Sequence, residues 1–186
     1  MIRRNGLLFA AASLLLIRPL SAAEPVETRH VPVGADQRMI VQTAVVAASA
    51  ADLWQAISTA EGWRSWAAPA AFLEELRPGA TIETSYDAQA AAGDPANIHN
   101  KVLAYVPSQM LAIAATKAPP GFPDPELLAD LATVIELEPV DRAATRVTIS
   151  MVGYGVDGKY DRLFEFFTAG NELTLNRLRE RFEPAP

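Results

Sequence analysis

The sequence predicts an α+β fold in which one curved antiparallel sheet of about six to seven strands wraps around a long C-terminal helix, with two short helices after the first strand. Three observations predict it. Residues 157–182 repeat apolar side chains at helical spacing. Residues 133–138 and 145–152 alternate apolar and polar side chains at strand spacing. The order of signals, a strand, two short helices, several strand pairs and then the long helix, keeps strands and helices apart instead of alternating them.

In chain order, residues 1–23 read as a secretory signal peptide. Arg3 and Arg4 form a basic tip, residues 7–17 an apolar run, and Ser21-Ala22-Ala23 a small-residue end. The run is shorter than the ~20 residues that span a bilayer, and Arg18-Pro19 interrupts it. Cleavage after Ala23, a periplasmic or secreted destination and no membrane insertion thereafter are the expectations. Residues 24–36, with Pro25, Pro32 and Gly34, are expected to be an extended linker. The remaining residues, 37–183, fit one domain with one core.

Removing Arg3, Arg4 and Arg18 from the 16 basic residues leaves 13 against 22 acidic ones, a net charge of −9 for the exported chain. That balance argues against nucleic acid or an anionic membrane as partner. The sequence contains no cysteine, so disulfides, thiolate nucleophiles and zinc–thiolate centres are excluded.

Residues 38–47 are β-branched and uninterrupted, which suits the first strand. Ser49 can cap a helix with Asp52 behind it, and Leu53, Trp54 and Ile57 follow at helical spacing. Residues 59–62 break that helix, and a second turn or helix runs through Trp63 and Trp66 to Pro69. Residues 73–76, 77–79 and 80–87 read as strand, turn and strand, with Ile82, Thr84 and Tyr86 on one face. Residues 98–106 and 110–116 form the next pair. The four prolines within 118–125 forbid a central strand, so this is a loop, followed by one or two helical turns over 126–131. The strands 133–138 and 145–152 make a hairpin about Asp141, with Ile135, Leu137, Val147, Ile149 and Met151 inward. Gly153-Tyr-Gly155 ends the sheet. Asp157 is the expected N-cap of the last helix, whose buried stripe is Tyr160, Leu163, Phe164, Phe167, Asn171, Thr174, Leu175, Leu178 and Phe182. Arg177, Arg179 and Arg181 sit in its last turns, where the helix dipole favours cations.

Particular residues within this order carry a resemblance. Ala48-Ser-Ala-Ala-Asp-Leu-Trp-Gln-Ala-Ile57, Glu61-Gly-Trp-Arg-Ser-Trp66, Leu76-Arg-Pro-Gly79, and Val102-Leu-Ala-Tyr-Val-Pro107 with Leu111 together resemble the SRPBCC superfamily of START-like and birch-pollen-allergen-like proteins. The branch they look most like is that of the heat-shock-protein ATPase activator homologues. The resemblance spans residues 38–182 and implies a helix-grip fold. Its relatives include lipid and hormone binders, aromatic cyclases and co-chaperones, so the fold alone does not choose a function.

The sequence offers little catalytic chemistry. Neither a metal cluster, a nucleophile elbow nor a phosphate loop is visible, and no metal or cofactor is expected. His99, at a strand edge, is the one weak acid–base candidate; a lone histidine there is ordinarily a surface residue. A helix-grip sheet curves too strongly for one helix to fill it, which leaves an apolar hollow as the expected ligand site. Its expected walls are Trp63, Trp66, Tyr86, Val102, Ile113, Met151, Tyr154, Phe164, Phe167 and Asn171, each of which could equally be ordinary core. Asn171 and Thr174 are polar on an apolar stripe and need partners. Gly170 needs a reason inside a helix, such as close backbone approach or room beside the hollow. Phe122 in the proline-rich loop could cover an entrance. The leading expectation is an exported binder of a small hydrophobic or aromatic molecule; the alternatives are a cyclase- or hydrolase-type enzyme in the same hollow, or an envelope protein-interaction module.

Overall fold

A computed structural model describes residues 24–183; the expected signal peptide, 1–23, lies outside the described residues. The elements run β1 (Glu27–Val33), β2 (Gln37–Val46), α1 (Ala50–Ser58), α2 (Ala60–Trp66), β3 (Ala70–Phe72), β4 (Thr81–Ser85), β5 (Ile98–Val106), β6 (Met110–Lys117), β7 (Ala132–Pro139), β8 (Thr145–Gly155) and α3 (Asp161–Phe182). The strands form one open antiparallel sheet of eight, in the order β1-β2-β8-β7-β6-β5-β4-β3. This is the expected α+β architecture, with more strands than the expected six or seven.

The additional strand is β1. Residues 24–36 are extended as expected, but Glu27 to Val33 pair with Thr43 to Gln37 instead of running free as a linker. Their polarity hid them: an edge strand needs only one apolar face, and Pro32 is tolerated at an edge because no ladder needs its missing N–H. The buried Gln42 amide fastens this edge by donating to Thr28 Oγ1 at 3.0 Å and to the Thr168 carbonyl at 2.9 Å, tying β1, β2 and α3 together. A second correction concerns 73–76, expected as a strand. The pairing is made instead by Ala70–Phe72 against Glu83–Ser85, and Arg64 holds that short strand by donating to the Ala71 carbonyl at 2.7 Å.

The short helices start as their caps dictate. Ser49 Oγ accepts from the Asp52 amide at 3.2 Å, and Thr59 Oγ1 from the Gly62 amide at 2.9 Å. The two helices pack so tightly that a Cβ on Gly62 would stand 2.2 Å from the Gln55 carbonyl oxygen, so only glycine fits. Trp63 and Trp66 donate their indole N–H groups to the Ile57 and Ala56 carbonyls at 2.7 and 3.0 Å, filling acceptors left open where α1 ends.

The long helix begins differently from expectation. Asp157 makes no side-chain cap; a 3-10 turn, Gly158–Tyr160, precedes α3, and Asp161 in its first turn pairs with Arg38. Its stripe is buried at two ends. Leu175 and Leu178 join one core with Val46, Leu53, Ile57, Trp63, Trp66, Val102, Ile113 and Ile149. Leu163 and Phe164 join a second with Ile40, Leu128, Leu131, Met151, Tyr154 and Tyr160. Between them, Phe167, Gly170, Asn171 and Thr174 are only half-buried.

Candidate functional site

The half-buried middle of α3 faces a cavity of about 240 Å³. It lies on one side of the helix only. Toward β2 and β8 large side chains close the gap: Tyr154 is fully buried, with Ile40 and Met151 beside it, and Phe164 packs edge-on against Tyr154 with ring centres 5.0 Å apart. Burial pushes the Tyr154 phenol above its ordinary value, with the Arg38 charge offsetting only part of that, so the hydroxyl stays protonated and donates to Met151 Sδ at 3.0 Å.

Toward β4, β5 and β6 the residues are smaller. Ala67 and Ala68 after α2, Ala115 on β6 and Ala118 beyond it occupy positions that a Leu or Phe would fill. Thr84, Ile98 and Asn100 line it from the strands, and Trp63 and Leu128 add to its walls. Phe166 and Phe167 join from α3, with Phe122 edge-on to Phe166 at 5.2 Å. Tyr86 and Phe166 also meet solvent, at 71% and 47% exposure, which marks the mouth. Gly170 sits between Phe167 and Thr174 on the same helix face, and a Cβ there would meet nothing within 4 Å. Of the two reasons foreseen for this glycine, close backbone approach is thereby removed.

Of the residues expected to line a hollow, Trp63, Tyr86 and Phe167 do so. Tyr86 lies just past the end of β4 and is largely exposed, lining the cavity on the same side as Thr84. Trp66, Val102 and Ile113 belong to the first core, and Met151, Tyr154 and Phe164 to the second. Asn171 turns toward that second core, its Nδ2 4.0 Å from Met151 Sδ. Thr174 returns its hydroxyl to the Gly170 carbonyl at 2.7 Å, so its polarity is satisfied within the helix. The lining residues not foreseen, Ile98, Asn100, Ala115, Lys117 and Leu128 among them, carried no distinguishing signal, because small or ordinary strand residues become a wall only through what fails to pack on them.

His99 does not line the cavity. Its neighbours Ile98 and Asn100 do, so strand alternation turns His99 to the other face, where Nε2 lies 3.6 Å from Glu83 Oε1. Glu83 in turn holds the loop after β4 in place, accepting from the Gly93 amide and from Asn97 Nδ2, both at 2.7 Å. Burial opposes ionisation of Glu83, but these hydrogen bonds, with the charges of His99 and Lys117, outweigh it and hold the carboxyl below its ordinary value. Among the described residues, no group of three or more His, Cys, Asp or Glu side chains is arranged to hold a metal ion.

The proline-rich loop is anchored, which fixes the side of the cavity it covers. Its 3-10 turn, Pro125–Asp130, presses on β8 so closely that a Cβ on Gly153, where φ is +100°, would stand 1.9 Å from the Asp130 carbonyl oxygen. Tyr160 donates to the Asp130 carboxylate at 2.5 Å.

The sequence model of the family described as polyketide cyclase / dehydrase and lipid transport matches residues 37–183. Among solved structures, CalU16 from Micromonospora echinospora is similar with a TM-score of 0.59 at 17% identity, over 88% of this chain and 88% of that one. Protein MLL2253 from Mesorhizobium loti gives 0.60 at 16% identity, over 77% and 96% of the two chains. The Aha1 dimer from Colwellia psychrerythraea gives 0.54 at 17%, over 78% and 96%. These likenesses show the fold and do not choose among its branches, so the activator branch is not confirmed by them. A search of curated protein sequences finds no match.

Proposed function

This chain belongs to the polyketide cyclase / dehydrase and lipid transport family, and from that membership and the lining of its cavity we propose that it binds a small hydrophobic or aromatic molecule between α3 and strands β4 to β6. The observation that carries the reading is the one-sided hollow of about 240 Å³ beside a helix whose two ends are fully packed. An apolar cavity of about 150 Å³ accommodates benzene, so this one has room for two fused rings. Burying roughly 300 Å² of such a guest contributes on the order of 7 kcal/mol, a dissociation constant of about 10 μM before the costs of association.

The pattern of residues 1–23 supports export as part of the proposal, with the ligand met in the periplasm or outside the cell. N-terminal sequencing of the protein from its own host should begin at Glu24. Placement in the ATPase-activator branch is a finer reading that rests on the motifs at 48–57, 61–66, 76–79 and 102–107 with Leu111. An acid–base enzyme using His99 gains no support, because that imidazole faces away from the cavity.

Native mass spectrometry of protein purified from its own host tests the binding reading, together with tryptophan fluorescence titrated against apolar aromatic compounds. A retained small molecule or a saturable change that disappears in Trp63→Phe is the expected result. Protein that is always empty and optically indifferent to every compound would overturn it.

A further inference from the structure

The proline-rich segment beside the cavity is held unevenly along its length. Pro125–Asp130 is pinned from two sides, by the Asp130 carbonyl against Gly153 and by Tyr160 on the Asp130 carboxylate, and its Leu128 is buried. Residues 118–123, immediately before it, have no such hold. Among the described residues their one hydrogen bond stays within the segment, from the Phe122 amide to the Pro119 carbonyl at 3.2 Å. What seats this stretch on the cavity is the Phe122 ring, whose centre lies 5.2 Å from that of Phe166 and 6.0 Å from that of Phe167.

Asp124 joins the loose part to the pinned part, and its backbone is strained. With φ +45° and ψ +53° it occupies the left-handed region, which side-chain-bearing residues rarely adopt. Pro125 follows, and a proline favours an extended residue before it, with ψ about +120° to +160°. Asp124 gains no cap in exchange: its carboxylate makes no capping hydrogen bond to the turn it precedes, and its ion pair with Arg162 is 4.0 Å long. Gly121, at φ +79°, lies on the other side of Phe122. Pro119, Pro120 and Pro123 fix their own φ, so the turning freedom around Phe122 is concentrated at Gly121 and Asp124. Relaxing Asp124 to the extended backbone that Pro125 favours redirects the chain entering the pinned turn and unseats the ring. Two arrangements therefore compete, one held by ring contacts and the other favoured by release of backbone strain.

We propose that Phe122 is a door to the cavity, hinged at Asp124, closed when its ring seats on Phe166 and Phe167 and open when Asp124 relaxes. Its role in ligand exchange rests on the binding reading; its motion does not. The chain contains no cysteine, so Ala115→Cys places a single thiol on the cavity wall, and its rate of alkylation by N-phenylmaleimide reports opening without any ligand. Each rate is divided by that of a control thiol, Val46→Cys in the first core, measured in the same hinge variant. Asp124→Ala should raise the ratio at least about fivefold, because alanine resists the left-handed conformation. Asp124→Gly should leave it at or below the unaltered value, and Asp124→Asn, which tolerates that conformation without the charge, should match the unaltered hinge. Phe122→Ala should give the largest rise, about tenfold or more. Equal ratios for Asp124→Ala and Asp124→Gly overturn the proposal, as does an Asp124→Asn ratio as high as that of Asp124→Ala, which would put the hold in the Arg162 contact. An equal acceleration of the control thiol would mean general loosening and overturns it too. A failed hinge leaves the binding reading standing, whereas a working hinge on a protein that takes up no apolar compound sinks that reading alone.

Discussion

The two halves of the sheet treat the same helix in opposite ways. On the β2–β8 side, Ile40, Met151 and Tyr154 meet Leu163 and Phe164 with their full volumes, and Gln42 spends its amide on the helix backbone at Thr168. On the β4–β6 side, Thr84, Asn100 and Ala115 stop short, and the helix meets them with Phe166, Phe167 and Thr174 about Gly170, beside which a Cβ would meet nothing within 4 Å. Both halves are antiparallel strands of alternating character, so the backbone does not decide which is solid. Side-chain volume does: interiors pack to near-crystalline density where large residues meet, and a row of alanines beside a glycine leaves a void. One half therefore fixes the helix, and the other is free to hold a guest.

The largest effect should come from damaging the solid half. Leu163→Ala is expected to cost about 2–5 kcal/mol, lowering the melting temperature by roughly 2–4 °C for each kcal/mol. Leu128→Ala, at the cavity wall, should cost about half as much, because the side chain already borders empty space. Equal losses at the two sites, read by thermal unfolding, would erase the contrast between the halves.

Next in size is filling the hollow half. Gly170→Phe places a benzyl group where a Cβ meets nothing, and it should weaken aromatic ligands by about 100-fold without lowering the melting temperature. Retained binding in a folded variant would put the ligand elsewhere.

Smaller effects refine the boundary between the halves. Tyr160→Phe removes the hydrogen bond that pins the proline-rich segment at Asp130 and should cost about 1 kcal/mol in chemical denaturation. Gly170→Ala should do the reverse, adding up to about 1 kcal/mol of helix stability, since no neighbour resists the methyl group.

The smallest concerns pH. The Glu83 carboxyl is held below its ordinary value in the folded protein, so its contribution is complete above the unfolded-state value and fades as pH falls through the folded-state one. Glu83→Gln should flatten that acid limb of the stability curve and speed amide exchange at Gly93, whose hydrogen bond the carboxylate accepts. An unchanged acid limb would show that Glu83 does not hold this loop.

Residue order alone dictates the class of the fold, the cap of α1, the β7–β8 hairpin and the long amphipathic helix, because each rests on local spacing that survives folding unchanged. It does not dictate β1, whose polar, proline-bearing residues read as a tether until β2 supplies the partner ladder. Nor does it separate the apolar residues that are wall from those that are core. Trp63 and Trp66, three positions apart on one short helix, read alike, yet only Trp63 reaches the cavity. Ile98 and Asn100 carry no signal at all, since an ordinary strand residue becomes a cavity wall only when the opposing helix stands away from it. That stand-off arises from volumes summed across six separate segments of the chain, a quantity that exists only once folding has brought them together.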